Sequence, residues 1–129
     1  MKIRIYYEDT DMGGVVYHSN YLKYCERARS ELFFEHGSSP AMEEGHFVVR
    51  NIKADFKSPA KFADILHVKS QLLLMKGASF TLLQEIYREE ELLFSMEITL
   101  VFVTYEGRVT RISAQTALLL ERIINNNKL

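Results

Sequence analysis

The stretch that decides the fold is Ile3-Arg4-Ile5-Tyr6-Tyr7-Glu8-Asp9-Thr10-Asp11-Met12-Gly13-Gly14-Val15-Val16-Tyr17-His18-Ser19-Asn20-Tyr21-Leu22-Lys23-Tyr24-Cys25-Glu26-Arg27-Ala28-Arg29. Its first part alternates. Ile3, Ile5 and Tyr7 fall on one face and Lys2, Arg4 and Tyr6 on the other, which predicts a half-buried strand over 2–8. Asp9 to Gly14 break the alternation as a loop, and two consecutive glycines permit backbone approaches that a Cβ would block. From Asn20 to Glu35 the period becomes helical: Tyr21, Cys25, Ala28 and Leu32 form one stripe. Arg27 and Glu31 add an i,i+4 pair of opposite sign, and Gly37 is the expected stop. Such a helix is about 25 Å long. Its small mid-stripe residues, Cys25 and Ala28, let it lie close to a sheet.

Downstream, Pro40 predicts a short helical turn through Glu44. The region 46–106 reads as extended. Val48, Arg50, Ile52, Ala54 and Phe56 alternate with Phe47, Val49, Asn51, Lys53 and Asp55 until Pro59 interrupts, and further strands are expected over 65–75, 79–88 and 92–105, with breaks at Lys76-Gly77 and at the charged tip Arg88-Glu89-Glu90-Glu91. Gly107 marks a turn, and Val109 extends a last strand. Ser113 caps a C-terminal helix carrying Ala117, Leu118, Leu120, Ile123 and Ile124, and the polar end Asn125–Lys128 is expected to fray. A strand, a long helix and then a meander of antiparallel strands give an α+β layer arrangement, with the sheet wrapped around one helix. The helix-free face of the sheet is left to be covered, solvated or used in association.

The chain has 129 residues, enough for one domain with its own core, read as 1–129. Sixteen basic and seventeen acidic residues give a net charge of −1, which lacks the basic footprint of a nucleic-acid binder. A single cysteine, Cys25, excludes an intramolecular disulfide framework and a cysteine-rich zinc site. Charges interrupt the N-terminus too often for a signal peptide, and no apolar run approaches a membrane span. These features predict a soluble cytoplasmic protein.

The residues that carry chemistry lie where the loop meets the helix. Asp11 sits in a glycine loop just ahead of a helix whose first N–H groups are unsatisfied and partly positive. Such donors polarise a carbonyl or hold an anion, and a carboxylate beside them can attack an acyl carbon or activate water. His18, at the same helix start, is placed to bind substrate or orient Asp11. Plainer readings stand beside these: Asp11 as a cap or solvated turn residue, and His18 as a structural or exposed side chain. Asp9, Asp11 and His18 lack a recognised metal-ligand spacing, so no metal is expected. Cys25 belongs to the core stripe.

Arg4-Ile5, Thr10-Asp11, Gly14-Val15-Val16, His18, Tyr21 and Tyr24 together resemble the signature of the 4-hydroxybenzoyl-CoA thioesterase family of hotdog-fold proteins. The continuation Tyr24-Cys25-Glu26-Arg27-Ala28-Arg29 and the later Phe56-Lys57-Ser58-Pro59-Ala60 resemble the YbgC-like branch, acyl-CoA thioesterases often associated with the Tol-Pal system. The resemblance runs over nearly the whole chain and is weakest after Gly107. It implies a hotdog fold, a long antiparallel sheet wrapped around the 20–35 helix. It also implies a homodimer made edge to edge with sites at the subunit interface, often assembled into a dimer of dimers, hence a tetramer.

The family's catalytic carboxylate falls on Asp11, and its carbonyl-polarising backbone N–H falls on His18. The His18 side chain and Tyr7 are helpers. Whether Asp11 forms an anhydride or works through water stays open. Coenzyme A enters as part of the substrate, with no separate cofactor. Its phosphates call for basic side chains, for which Lys57, Lys61 and Lys76 are candidates beside the reading of ordinary solvated lysines. The rivals are a hotdog hydratase, which uses a different acid and base arrangement, and a hotdog protein that binds acyl-CoA or acyl carrier protein without turnover. The branch resemblance favours aliphatic acyl groups over 4-hydroxybenzoate, and an acyl carrier protein is a further candidate partner.

Overall fold

The computed structural model describes residues 1–125. The strands are β1 (Lys2–Arg4), β2 (His46–Phe56), β3 (Ile65–Met75), β4 (Ser79–Arg88) and β5 (Glu91–Val103). They form one antiparallel sheet in the order β1-β3-β4-β5-β2. The helices are α1 (Asn20–Glu35) and α2 (Ala114–Asn125), and both pack on β3 and on each other. The predicted α+β arrangement is present, and α1 has the predicted limits.

The core follows from the alternation along the strands. Leu66 and Val68 of β3, Phe80, Leu82 and Ile86 of β4, and Phe94, Met96, Ile98, Leu100 and Phe102 of β5 are all buried. Onto them α1 lays Tyr21, Tyr24, Cys25, Ala28, Leu32 and Phe33, and α2 lays Leu120, Ile123 and Ile124. Each fully buried aliphatic or aromatic side chain contributes about 1.5–3 kcal/mol of transfer free energy. One polar cluster interrupts this core. The fully buried Gln84 donates from Nε2 to the Cys25 carbonyl (3.1 Å) and to Ser70 Oγ (3.0 Å), and its Oε1 accepts from Arg29 (2.9 Å).

One end of each helix is finished locally. Gly37, at φ +71°, donates to the Phe34 carbonyl, and Ser38 donates to that of Phe33. These two bonds close α1 with a left-handed glycine, as its sequence requires. Ser113 Oγ accepts the Thr116 N–H at 3.1 Å and caps α2.

Four expectations need correction. The first strand stops at Arg4 rather than running to residue 8. There the Asp9 carboxylate takes the Tyr6 N–H (2.8 Å), and a 3-10 turn forms over Tyr7–Asp9. A side-chain acceptor close in sequence outcompetes the ladder. Tyr7 therefore leaves the core face and is 78% exposed. The Pro40–Glu44 segment is not helical: Ala41 N–H donates to Ser39 Oγ and Met42 N–H to the Gly45 carbonyl. The last long strand ends at Val103, and Val109 makes only an isolated bridge to it. Leu118 on α2 faces outward. Asn125 closes α2, while Asn126, Asn127 and Lys128 of the expected frayed end lie outside the described residues.

Candidate active site

The loop that carries Asp11 is a small hairpin. Thr10 bridges Val16, Asp11 N–H donates to the Val15 carbonyl, and Gly14 N–H donates back to the Asp11 carbonyl. Gly14 sits at φ +79°, which favours glycine. Asp11 Oδ1 accepts the Gly13 N–H at 2.8 Å. Its Oδ2 has no hydrogen-bond partner among the described residues, and the side chain is exposed. The loop is therefore held firmly while half of its carboxylate stays open.

The hairpin is anchored to the start of α1. Tyr17 N–H and Asn20 Nδ2 both donate to the Asp9 carbonyl (2.9 and 3.0 Å). Val16 N–H donates to the Ala60 carbonyl, Val15 bridges Lys61, and Ala60 N–H donates to the Tyr21 hydroxyl (3.0 Å). The Ser58-Pro59-Ala60-Lys61 segment thus ties the loop to the first turn of the helix. Among the described residues the His18 and Ser19 N–H groups donate to no acceptor. They are free donors at the positive end of a 16-residue helix.

The His18 ring is exposed. It tilts against Tyr17 (4.5 Å) and meets Phe56 edge-on (6.4 Å). Phe56 packs in turn on Tyr21 and Phe94. An apolar wall therefore stands beside the free N–H groups. Phe94 is a member of this wall that the sequence reading did not single out, since nothing separates it from other core strand residues. Phe56 enters the sequence reading through strand alternation and the Phe56–Ala60 motif, without a role at the site.

Below the wall, Tyr24 is buried and its hydroxyl has no hydrogen-bond partner among the described residues. Burial and the nearby Asp9 carboxylate push its pKa well above the usual phenol range. Burial likewise pushes the Cys25 thiol up to about 12.

The other candidates are not all brought together. Tyr7 is exposed and stacks on Phe62 at 4.2 Å. Lys61 lies beside the Asp11 loop through its bridge to Val15. Lys57 is exposed and paired with Asp55 at 3.0 Å. Lys76 stands in the turn after β3, the far end of an 11-residue strand, about 35 Å along the chain direction from the Lys61 end. No cluster of three or more His, Cys, Asp or Glu that would hold a metal ion occurs among the described residues. Among those residues, no helix is long and apolar enough to cross a membrane.

The family model described as the thioesterase-like superfamily matches residues 6–122. The chain belongs to the thioesterase-like superfamily. Within it, the chain is 55% identical over 87 residues to the acyl-CoA thioesterase YbgC of Helicobacter pylori, covering 67% of this chain and 65% of that one. The match thus spans just under two thirds of that relative's length. It is 39% identical over 102 residues to the acyl-CoA thioester hydrolase YbgC of Escherichia coli O157:H7, covering 77% and 76%. Among solved structures of this superfamily's fold, the "Probable Thioesterase from Bartonella henselae" superposes with a TM-score of 0.82 at 32% identity, covering 88% of this chain and 97% of that one. A 4-hydroxybenzoyl-CoA thioesterase superposes with a TM-score of 0.84 at 22% identity over 92% and 95%, a likeness of fold. The sheet around α1 is therefore the hotdog fold.

Proposed function

We propose that this chain hydrolyses the thioester of an acyl-CoA to a free acid and coenzyme A. The observation that carries the reading is that the hairpin holding the Asp11 carboxylate is anchored through the Asp9 carbonyl to the start of α1, where the His18 and Ser19 N–H groups donate to no acceptor among the described residues. Membership of the thioesterase-like superfamily and likeness to relatives named for acyl-CoA thioester hydrolysis support it. The acyl oxygen sits on the free N–H groups, which stabilise the negative charge that develops there. Asp11 Oδ2 then acts in one of two ways. As a nucleophile it bonds to the acyl carbon, the C–S bond breaks, and water later cleaves the anhydride. As a general base it takes a proton from the water that attacks. In both, the sulfur leaves as thiolate and is protonated by solvent. Single turnover in 18O-labelled water separates the routes, because only the anhydride route delivers label into Asp11 when water attacks the Asp11 carbonyl carbon.

The Phe56, Tyr21 and Tyr17 wall favours an apolar acyl group, which we take to be aliphatic. His18 and Tyr7 are assigned as substrate-positioning helpers, and Lys61 and Lys57 as contacts for the coenzyme A phosphates. Lys76, at the far end of β3, serves the site of another copy. The unpaired outer edge of β2, 11 residues long with Val48 and Val49 exposed, is the surface through which two chains join into a ten-stranded sheet. Two such dimers form the tetramer, working in the cytoplasm without a separate cofactor. An acyl carrier protein substrate and a Tol-Pal association belong to the same reading. The test is thiol release from acyl-CoAs of increasing length and from a benzoyl-type CoA. Saturable turnover supports the proposal. Binding without turnover would replace it with a carrier or sensor role.

A further inference from the structure

The Asp11 hairpin rests on the connection between β2 and β3. The Lys57 and Ser58 N–H groups fasten the start of that connection to the Leu93 carbonyl of β5 (2.8 and 3.1 Å). Further on, the Val16 N–H donates to the Ala60 carbonyl (2.8 Å), and Val15 bridges Lys61. Thr10 bridges Val16, and the Asp11 N–H donates to the Val15 carbonyl, so a shift of residues 60–61 is passed straight to Asp11. Ile5 N–H then donates to the Asp64 carbonyl and Ala63 N–H to the Ile5 carbonyl, both at 2.9 Å.

This support is strained backbone held in place. Ala63 sits at φ +74°, a left-handed conformation that an L side chain keeps only where its surroundings enforce it. Asp64 does so. Its N–H donates to the Lys61 carbonyl (3.1 Å) and its Oδ2 accepts the Lys61 N–H (2.8 Å), which closes a turn over 61–64. The same Oδ2 accepts Arg88 Nη1 at 2.7 Å, and that nitrogen also reaches the Pro59 carbonyl at 3.3 Å. Arg88 Nη2 donates to Glu91 Oε1 at 2.7 Å, which fixes the guanidinium on the β4–β5 hairpin. The Arg88 and Asp64 side chains are only 27% and 22% exposed, so solvent and salt screen them less than an ordinary surface pair. Phe62, on the same turn, is the ring on which Tyr7 stacks.

We propose that Arg88 is a positioning residue for the reaction. Through Asp64 and Pro59 it pins the 59–64 segment to the sheet, and that segment fixes the place of the Asp11 carboxylate. The effect on hydrolysis rests on the thioesterase reading, whereas the clamp on the hairpin does not. Buried Leu66, Ile86, Leu93 and Phe94 hold the strand ends themselves, so loss of Arg88 loosens the segment rather than the fold. Misplacing a reacting group by about 1 Å costs up to about a hundredfold in rate.

The experiment compares the full wild-type chain with Arg88→Met, Asp64→Asn and the double variant. It reads hydrogen exchange and thiol release from straight-chain acyl-CoAs, acetyl-CoA to palmitoyl-CoA. Arg88→Met should speed amide exchange over residues 10–18 about tenfold and leave residues 24–32 of α1 unchanged. On the best of these substrates kcat should fall about tenfold to a hundredfold, with KM within about twofold of wild type. Asp64→Asn should act in the same direction, and the double variant should be no worse than Arg88→Met, because both cut one link. Gly37→Ala, strained at the other end of α1, should keep the wild-type kcat while lowering the melting temperature. The proposal is overturned by unchanged exchange over 10–18 in Arg88→Met, by unchanged kcat, or by a raised KM with kcat kept. Additive losses in the double variant also overturn it, as does an equal loss of kcat in Gly37→Ala, since any weakening of the fold would then suffice. Absence of thiol release by the wild-type chain overturns the hydrolytic reading and with it the part of Arg88 in the reaction, and exchange over 10–18 alone then decides the clamp. Should Arg88→Met fail to fold, the isosteric Asp64→Asn is held to the same outcomes.

Discussion

Asp11 commits one carboxylate oxygen to the Gly13 N–H and keeps the other open, whereas His18 offers its backbone. The two positions therefore respond differently to alanine. His18→Ala keeps the N–H, so kcat/KM should fall by about tenfold or less, measured by thiol release. A loss as large as that of Asp11→Ala would move the imidazole into the chemistry. Tyr24→Phe removes a buried hydroxyl that lies near the Asp9 carboxylate but has no hydrogen-bond partner among the described residues, so the melt should be unchanged or shifted upward. A loss of more than about 1 kcal/mol would mean that the phenol is satisfied in solution. Cys25 has a pKa raised from its ordinary 9 to about 12, so the folded state keeps its proton where the unfolded state loses it. Its contribution to stability is complete below pH 9 and is lost as pH rises toward 12. At pH 8 the native thiol should resist alkylation and react only after denaturation. Fast native-state labelling would contradict its burial.

The elements with strong periodicity were legible, and those settled by one local hydrogen bond were not. The α1 stripe of Tyr21, Cys25, Ala28 and Leu32 is buried as its spacing requires, and Gly37 stops the helix. The strand expected through Tyr7 failed because the Asp9 carboxylate captured the Tyr6 N–H, a choice alternation does not encode. Pro40 failed as a helix start for a similar reason, the Ser39 and Gly45 turn bonds. Two glycines separate conformational from steric demand. Gly37→Ala meets open space but forces a positive φ, and should cost about 1–2 kcal/mol in a denaturant melt. At Gly45 a Cβ would lie 2.1 Å from the Val103 carbonyl oxygen, against backbone that cannot swing aside. Gly45→Ala should therefore cost more and disturb the entry of β2. Equal costs would contradict this distinction.

On the scale of the whole molecule, the sheet ends in two edges. β1 is three residues long, whereas β2 presents eleven with apolar side chains exposed beside them. Light scattering should therefore find a mass of about 30 kDa, twice the chain, or a multiple of it. A 15.0 kDa particle at micromolar concentration would contradict pairing through β2. The sequence reading reached the sheet, the helix and the Asp11 loop because each is written in a short contiguous segment. It did not reach the Arg29, Gln84 and Ser70 cluster, whose members lie 14 to 55 positions apart and meet only across the helix and sheet. It also left Lys61 and Lys76 as equals, although β3 sets them at opposite ends. The central claim is that Asp11 drives thioester cleavage. Its most direct test is kcat for Asp11→Ala on the best acyl-CoA, with circular dichroism and assembly checked alongside. The account predicts a fall of about a hundredfold or more with fold and mass unchanged. Near-native turnover in a correctly folded and assembled Asp11→Ala protein would contradict it.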